Sequence, residues 1–199
     1  MRKIEPRKEK SVVLLKPDTI KRGLIGEILS RFEKVGLKII GLKMVWVNQD
    51  LVAKHYPDNK EYLTSIGNKT LKSYEEYGAD PNEELGTKDP YKIGQMVRKW
   101  NMEFLSSGPV VAVLFQGLHA VDAIRMMVGN TLPRFAEPGT IRGDYSLDSP
   151  ILANMNKRTV RNMIHASGSI EEAKFEEELW FRQNEIHDYK RVDEDIMFE

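Results

Sequence analysis

The chain has 199 residues, 41% of them hydrophobic, which is enough for one substantial core and leaves little room for a second. Its 30 basic and 30 acidic residues cancel, so no global field draws it to nucleic acid or to an anionic membrane, and any anion site must be local. Cysteine is absent, which excludes disulfides, thiolate metal sites and thiol nucleophiles.

Residues 1–10 are charged, lack the apolar core of a signal segment and read as a flexible N-terminal arm. From residue 11 a single domain is expected to run to 199. Val12, Val13, Leu14 and Leu15 supply a buried strand, ended by Lys16-Pro17-Asp18. After Arg22-Gly23, the spacing of Leu24, Ile25, Ile28, Leu29 and Phe32 predicts an amphipathic helix that stops at Gly36. Leu37 to Val47 reads as a second strand and Pro109 to Phe115 as a third. Ala120, Val121, Ile124, Met127 and Val128 form another helical stripe closed by Gly129, Asn162 to His165 reads as a fourth strand, and a helix is expected after Ser169.

That order fits an α+β sandwich with helices over a mainly antiparallel sheet. Two stretches look like insertions, near 62–95 and near 146–159; neither shows a repeat or low complexity. Leu71, Tyr74, Tyr77, Leu85 and Tyr91 give the first enough apolar matter to be ordered and mainly helical. The longest apolar runs, such as Val110 to Phe115, are strand-sized and far below the roughly 20 residues needed to cross a bilayer. No membrane association is expected, and the location is expected to be cytoplasmic.

A polyanionic substrate needs fixed cations and backbone donors, and Lys16, Arg125, Arg142 and Arg161 all lie beside turn residues. Each one alone reads as a solvated surface charge, and only their convergence changes that. His165 follows Asn162-Met163-Ile164 and precedes Ala166-Ser167-Gly168-Ser169, so it stands where a buried strand opens into small residues and a helix start. Such a place presents a side chain and leaves room for a phosphate, although a packing histidine is the alternative. Glu176, brought back by tertiary folding, could hydrogen-bond the imidazole and fix its tautomer. His55, His119 and His187 read as surface residues. There is no Gly-x-x-x-x-Gly-Lys-Ser/Thr element, no protein-kinase Gly-rich loop and no metal-ligand spacing.

Leu15-Lys16-Pro17-Asp18 with Lys21-Arg22-Gly23-Leu24-Ile25-Gly26-Glu27-Ile28 resembles the opening of nucleoside diphosphate kinases. Ser107 to Ala112, Arg125 to Thr131, Pro138 to Asp144, Arg161 to Ser167 and Leu179-Trp180-Phe181 are similar to that family's later signatures, in its order. The resemblance implies a ferredoxin-like α+β sandwich and ping-pong transfer of a terminal phosphoryl group between nucleoside di- and triphosphates. It implies that His165 accepts the phosphoryl group, with Glu176 and Ser167 supporting its ring and Lys16 among the catalytic cations. Lys16, Tyr56, Arg125, Thr131, Arg142 and Asn162 fall on the family's nucleotide-contacting positions, and Tyr62 is a candidate for stacking on the base. Magnesium, held mainly by nucleotide phosphates with no protein metal site, and a homo-oligomer are implied too. Gly168 departs from the family, which commonly has an acidic residue there. Two other readings stand beside this one: a non-catalytic regulatory or nucleic-acid-binding relative, disfavoured by the neutral balance, and a histidine phosphotransferase acting on proteins or metabolites.

Overall fold

The computed structural model describes residues 6–198; residues 1–5, half of the expected N-terminal arm, lie outside the described residues. The other half is not an arm: Pro6–Lys8 form a 3-10 turn, and Glu9 and Lys10 already pair in the first strand.

The elements follow in chain order: β1 (Glu9–Leu15), α1 (Pro17–Lys21), α2 (Ile25–Lys34), β2 (Lys38–Trp46), α3 (Gln49–His55), α4 (Lys60–Tyr77), α5 (Pro81–Leu85) and α6 (Pro90–Leu105). Then come β3 (Pro109–Gly117), α7 (Ala120–Val128), α8 (Ile141–Tyr145), α9 (Pro150–Met155), β4 (Ile164–Ala166), α10 (Ile170–Trp180) and α11 (Glu194–Phe198). The sheet order is β2-β3-β1-β4, and every neighbouring pair is antiparallel. Each strand–helix–strand crossover therefore skips one position, the split arrangement of a ferredoxin-like α+β sandwich.

Central β1 is buried on both faces from Ser11 to Leu15, which explains its unbroken apolar run. Val13 and Leu15 join Ile28 and Phe32 of α2 and Ile124 and Val128 of α7 in one core. Val12 and Leu14 point the other way, into a core with Val52 of α3, Leu105 of α6 and Trp180 of α10. Turn chemistry sets the boundaries as the sequence predicts. Gly36 and Gly129 carry positive φ after α2 and α7, and the Ser169 side chain caps α10 by accepting from the Glu172 N–H.

The fourth strand starts later than the sequence suggests. Met163 is in the left-handed region with φ 68°, which turns the chain out of line, so pairing with β1 begins only at Ile164. The turn is held from outside. The Met163 N–H donates to Asp18 Oδ2 at 3.0 Å, while its carbonyl accepts from Lys16 N–H at 2.8 Å and Thr19 Oγ1 at 2.5 Å.

Residues 62–95 fold mainly as helix. α4 and α6 pack so tightly that a Cβ on Gly67 would run into the Pro90 carbonyl oxygen, and one on Gly94 into that of Leu63. Tyr74, Leu85 and Ile93 form a third core here, and Ile151 of α9, from the 146–159 stretch, packs onto it. The C-terminal segment returns along β2, with His187 N–H on Ile40 O and Tyr189 Oη on Ile39 O. It leaves Leu42, Met44 and Trp46 exposed on that edge strand. Gly67→Ala, which forces α4 and α6 apart, is expected to cost about 1–3 kcal/mol. Chemical denaturation measures it, and an unchanged midpoint would contradict the packing.

Candidate functional site

His165 lies on β4 opposite Leu14 of β1, and so faces the same side of the sheet as the core beneath α3 and α10. Its side chain keeps 20% exposure. One helix turn after Ala173, Glu176 of α10 points back under the strand: Oε1 is 2.5 Å from His165 Nε2, and Oε2 accepts from Ser167 Oγ at 2.7 Å. Ser167 is fully buried, and its Oγ also accepts from the Val12 N–H of β1 at 3.0 Å. With its proton on Nε2 for Glu176, the neutral imidazole has its lone pair on Nδ1.

His55, expected on the surface, is buried. Val52 and His55 recur at helical spacing on the inner face of α3, a stripe that places this imidazole inside. Its ring stands edge-on to His165 with centroids 4.6 Å apart, and Nδ1 lies 3.4 Å from both Trp180 Nε1 and Glu176 Oε1. His119 and His187 are exposed as expected. His55, His165 and Glu176 also form a cluster with metal-ligand atoms in reach, which the sequence spacing did not reveal because the three come from three elements. Two imidazoles are the wrong donors for a hard cation such as magnesium, which wants oxygen ligands.

Around the histidine stand cations without carboxylate partners. Lys16 donates to Asn162 Oδ1 at 2.7 Å, and Asn162 Nδ2 donates to the Thr131 carbonyl at 2.9 Å. Arg142 is buried and donates only to backbone: Nε to Asn162 O, Nη1 to Gly129 O at 2.8 Å and Nη2 to Ile164 O at 2.6 Å. Arg125, on α7, is exposed and reaches toward Gly168. Among the described residues none of the three forms an ion pair with a carboxylate. Tyr56 and Tyr62 are half-buried at the end of α3 and the start of α4, and Arg98 donates to the Tyr56 carbonyl at 2.8 Å. Arg161 lies apart from this group, its guanidinium over the Phe104 ring.

The charges explain the titration. Burial, then Arg142, lowers the Lys16 ammonium to about 8, with Asp18 opposing. Burial, then Arg125, lowers Arg142 to about 10. Burial and the Lys16, Arg142 and Arg125 charges push His165 well below an ordinary imidazole, while Glu172 opposes. His55 is lowered by burial and by His165 and Lys16. Burial raises Glu176, with His55 and Ser167 opposing. Burial also raises Tyr56 and Tyr62.

The sequence model of the nucleoside diphosphate kinase family matches residues 9–65 and 92–186. The chain is 48% identical over 178 residues to the nucleoside diphosphate kinase of Pyrobaculum aerophilum, spanning 89% of this chain and 97% of that one. A crystal structure of an NDP kinase from the same organism superposes with a TM-score of 0.88 at 46% identity, covering 91% of this chain and 100% of the other. A nucleoside diphosphate kinase from Borrelia burgdorferi, a transition-state mimic with bound vanadate and ADP, superposes with a TM-score of 0.73 at 34% identity over 93% and 94% of the two chains. Fold and comparisons together define a ferredoxin-like phosphotransferase. The chain belongs to the nucleoside diphosphate kinase family.

The neutral histidines have a consequence for acid stability. Their folded pKa values lie below the unfolded value near 6.5, so between the two the unfolded chain binds more protons and stability falls as pH falls. The raised Glu176 works oppositely, at the lower pH where carboxylates titrate. Stability is therefore expected to drop below pH ~6.5, by at most about 1.4 kcal/mol per pH unit for each histidine, and less steeply in His55→Asn. Urea midpoints from pH 8 to 5 measure this, and a flat profile would contradict buried neutral histidines.

Proposed function

We propose that this chain catalyses ping-pong transfer of the terminal phosphoryl group from a nucleoside triphosphate to a nucleoside diphosphate through His165. The observation that carries the reading is the Nδ1 of an imidazole whose Nε2 is held by Glu176, set among Lys16, Arg142 and Arg125, none of which forms an ion pair with a carboxylate among the described residues. The phosphates of a nucleotide supply the missing counter-charge.

In the first half-reaction the Nδ1 lone pair attacks the γ-phosphorus, a nitrogen–phosphorus bond forms, and the β–γ bridging oxygen leaves with its electron pair on the diphosphate. No proton need leave the nucleophile, because His165 is already neutral. As the imidazole becomes cationic, the Glu176 carboxylate stabilises it through Nε2–H. Ser167 holds the other oxygen of Glu176 so that the carboxylate cannot rotate away. The second half-reaction is the reverse, with another diphosphate as acceptor. A loose transition state spreads charge over the phosphoryl oxygens, so fixed cations supply most of the stabilisation.

Lys16, held by Asn162, is the cation nearest the strand end, Arg142 holds Gly129, Asn162 and Ile164 in place around the cleft, and Arg125 meets the phosphates from the exposed side. Thr131 and Asn162 line the approach for phosphate or sugar. Tyr56 and Tyr62 stand where a sugar and base would lie, and apolar stacking there favours every base about equally. Magnesium would come with the nucleotide, held by its phosphates, and would neutralise part of their charge.

Other features of the chain support the rest of the reading. The exposed apolar row Leu42, Met44 and Trp46 on the edge strand favours a homo-oligomer. Equal numbers of acidic and basic residues offer no basic footprint for nucleic acid. No helix among the described residues is long and apolar enough to cross a membrane, and we place the enzyme in the cytoplasm. We treat residues 11–199 as one domain and the helical stretch 62–95 as an elaboration of the nucleotide clamp.

Incubation with γ-labelled ATP is expected to label the protein, and an unrelated diphosphate to remove the label; His165→Ala is expected to abolish labelling while staying folded. Base-stable label in that variant would sink the assignment. Lys16→Ala is expected to lower kcat/KM by about 10²–10³, roughly 2.7–4 kcal/mol, as for removal of one preorganised donor to developing charge. Since Lys16 loses its proton near pH 8, kcat/KM is also expected to fall as pH rises through that value, and a profile still level at pH 9.5 would contradict this.

A further inference from the structure

Gly168 does not have a positive φ, so its backbone does not require a glycine. The room beside it is already occupied. A Cβ built on Gly168 would sit 2.6 Å from Glu172 Oε2 and 3.4 Å from Arg125 Nη1. The volume a side chain would fill is thus bounded by a carboxylate on one side and a guanidinium on the other.

Glu172 is held there by the start of α10. Its N–H donates to the Ser169 side chain at 3.2 Å, and its carboxylate reaches back to accept from the Gly168 N–H at 2.8 Å. Its charge is felt by His165 and by Tyr62, so the carboxylate faces the cleft. Arg125 has many rotamers and no ion-pair partner among the described residues, and ordering such a side chain costs conformational entropy. The Glu172 carboxylate and the Arg125 guanidinium both border the Gly168 position without forming an ion pair, so this carboxylate does not take up the Arg125 N–H groups.

We infer that Glu172 is a positioning residue that aims Arg125 at the phosphates of the bound nucleotide, working across the side-chain-free Gly168. The carboxylate comes from one helical turn later, and the glycine clears its path. This rests on the reading of Arg125 as a phosphate contact.

Three variants test it by steady-state kinetics with ATP and a nucleoside diphosphate, beside phosphoenzyme formation at saturating ATP. Glu172→Gln keeps an acceptor for the Gly168 N–H and removes the charge. It is expected to raise KM for the diphosphate about tenfold, a loss of ~1.4 kcal/mol, with kcat and phosphoenzyme formation little changed. Gly168→Asp alone crowds two carboxylates into one space and is expected to raise KM as well. Glu172→Ala with Gly168→Asp restores a single carboxylate beside Arg125 and is expected to recover KM. A wild-type KM in Glu172→Gln would reduce Glu172 to a helix cap and overturn the inference, as would a double variant no better than Gly168→Asp. Failure of the wild type itself to label would instead overturn the phosphohistidine reading.

Discussion

Everything at this site depends on one buried carboxylate. Glu176 is 2% exposed, and an ionised group so placed persists only when its lone pairs are satisfied. His165 Nε2 and Ser167 Oγ satisfy them, one from β4 and one from the turn that follows it. Because Ser167 is also bonded to the β1 backbone, the carboxylate, the histidine and the central strand are fixed relative to one another. The same bond selects the tautomer, leaving Nδ1 free, so a structural requirement and a chemical one are met by a single contact.

The imidazole has a carboxylate on Nε2 and feels three cations as well. Burial, then the Lys16 and Arg142 charges, lowers the His165 imidazole, and in the proposed reaction Glu176 would stabilise the charge that appears when phosphorus is bound. Clustered cations without counter-ions are costly to a fold. The cost is visible in the lowered pKa values of Lys16 and Arg142 and in the backbone carbonyls that Arg142 recruits. Met163 adds to it, holding a left-handed conformation that is uncommon outside glycine. That turn sets Asn162 against Lys16 and His165 against Glu176, and Asp18 and Thr19 of α1 keep it in place.

Much of this was legible in the sequence, for identifiable reasons. The four strands and the helices before Gly36 and Gly129 follow from apolar periodicity and turn residues. His165 stands out because small residues follow it, and Glu176 and Ser167 follow from the family resemblance. What stayed hidden was tertiary. His55 lies on the buried stripe of a seven-residue helix, too short for periodicity to weigh against its polar neighbours. Asn162 and Met163 read as strand because side-chain type does not report a positive φ. Glu172 carries no signal in the sequence, and Gly168 reads there as a bare departure; only the fold shows the Glu172 carboxylate beside the glycine.

The central claim, that Glu176 holds Nε2 and leaves Nδ1 to react, is tested most directly by the position of the phosphoryl group on the imidazole. Phosphoenzyme made with ATP, unfolded in alkali and analysed by phosphorus NMR against the two phosphohistidine isomers, is expected to carry phosphorus on Nδ1 alone. Phosphorus on Nε2 would contradict the account, since that nitrogen could react only with the Glu176 contact broken.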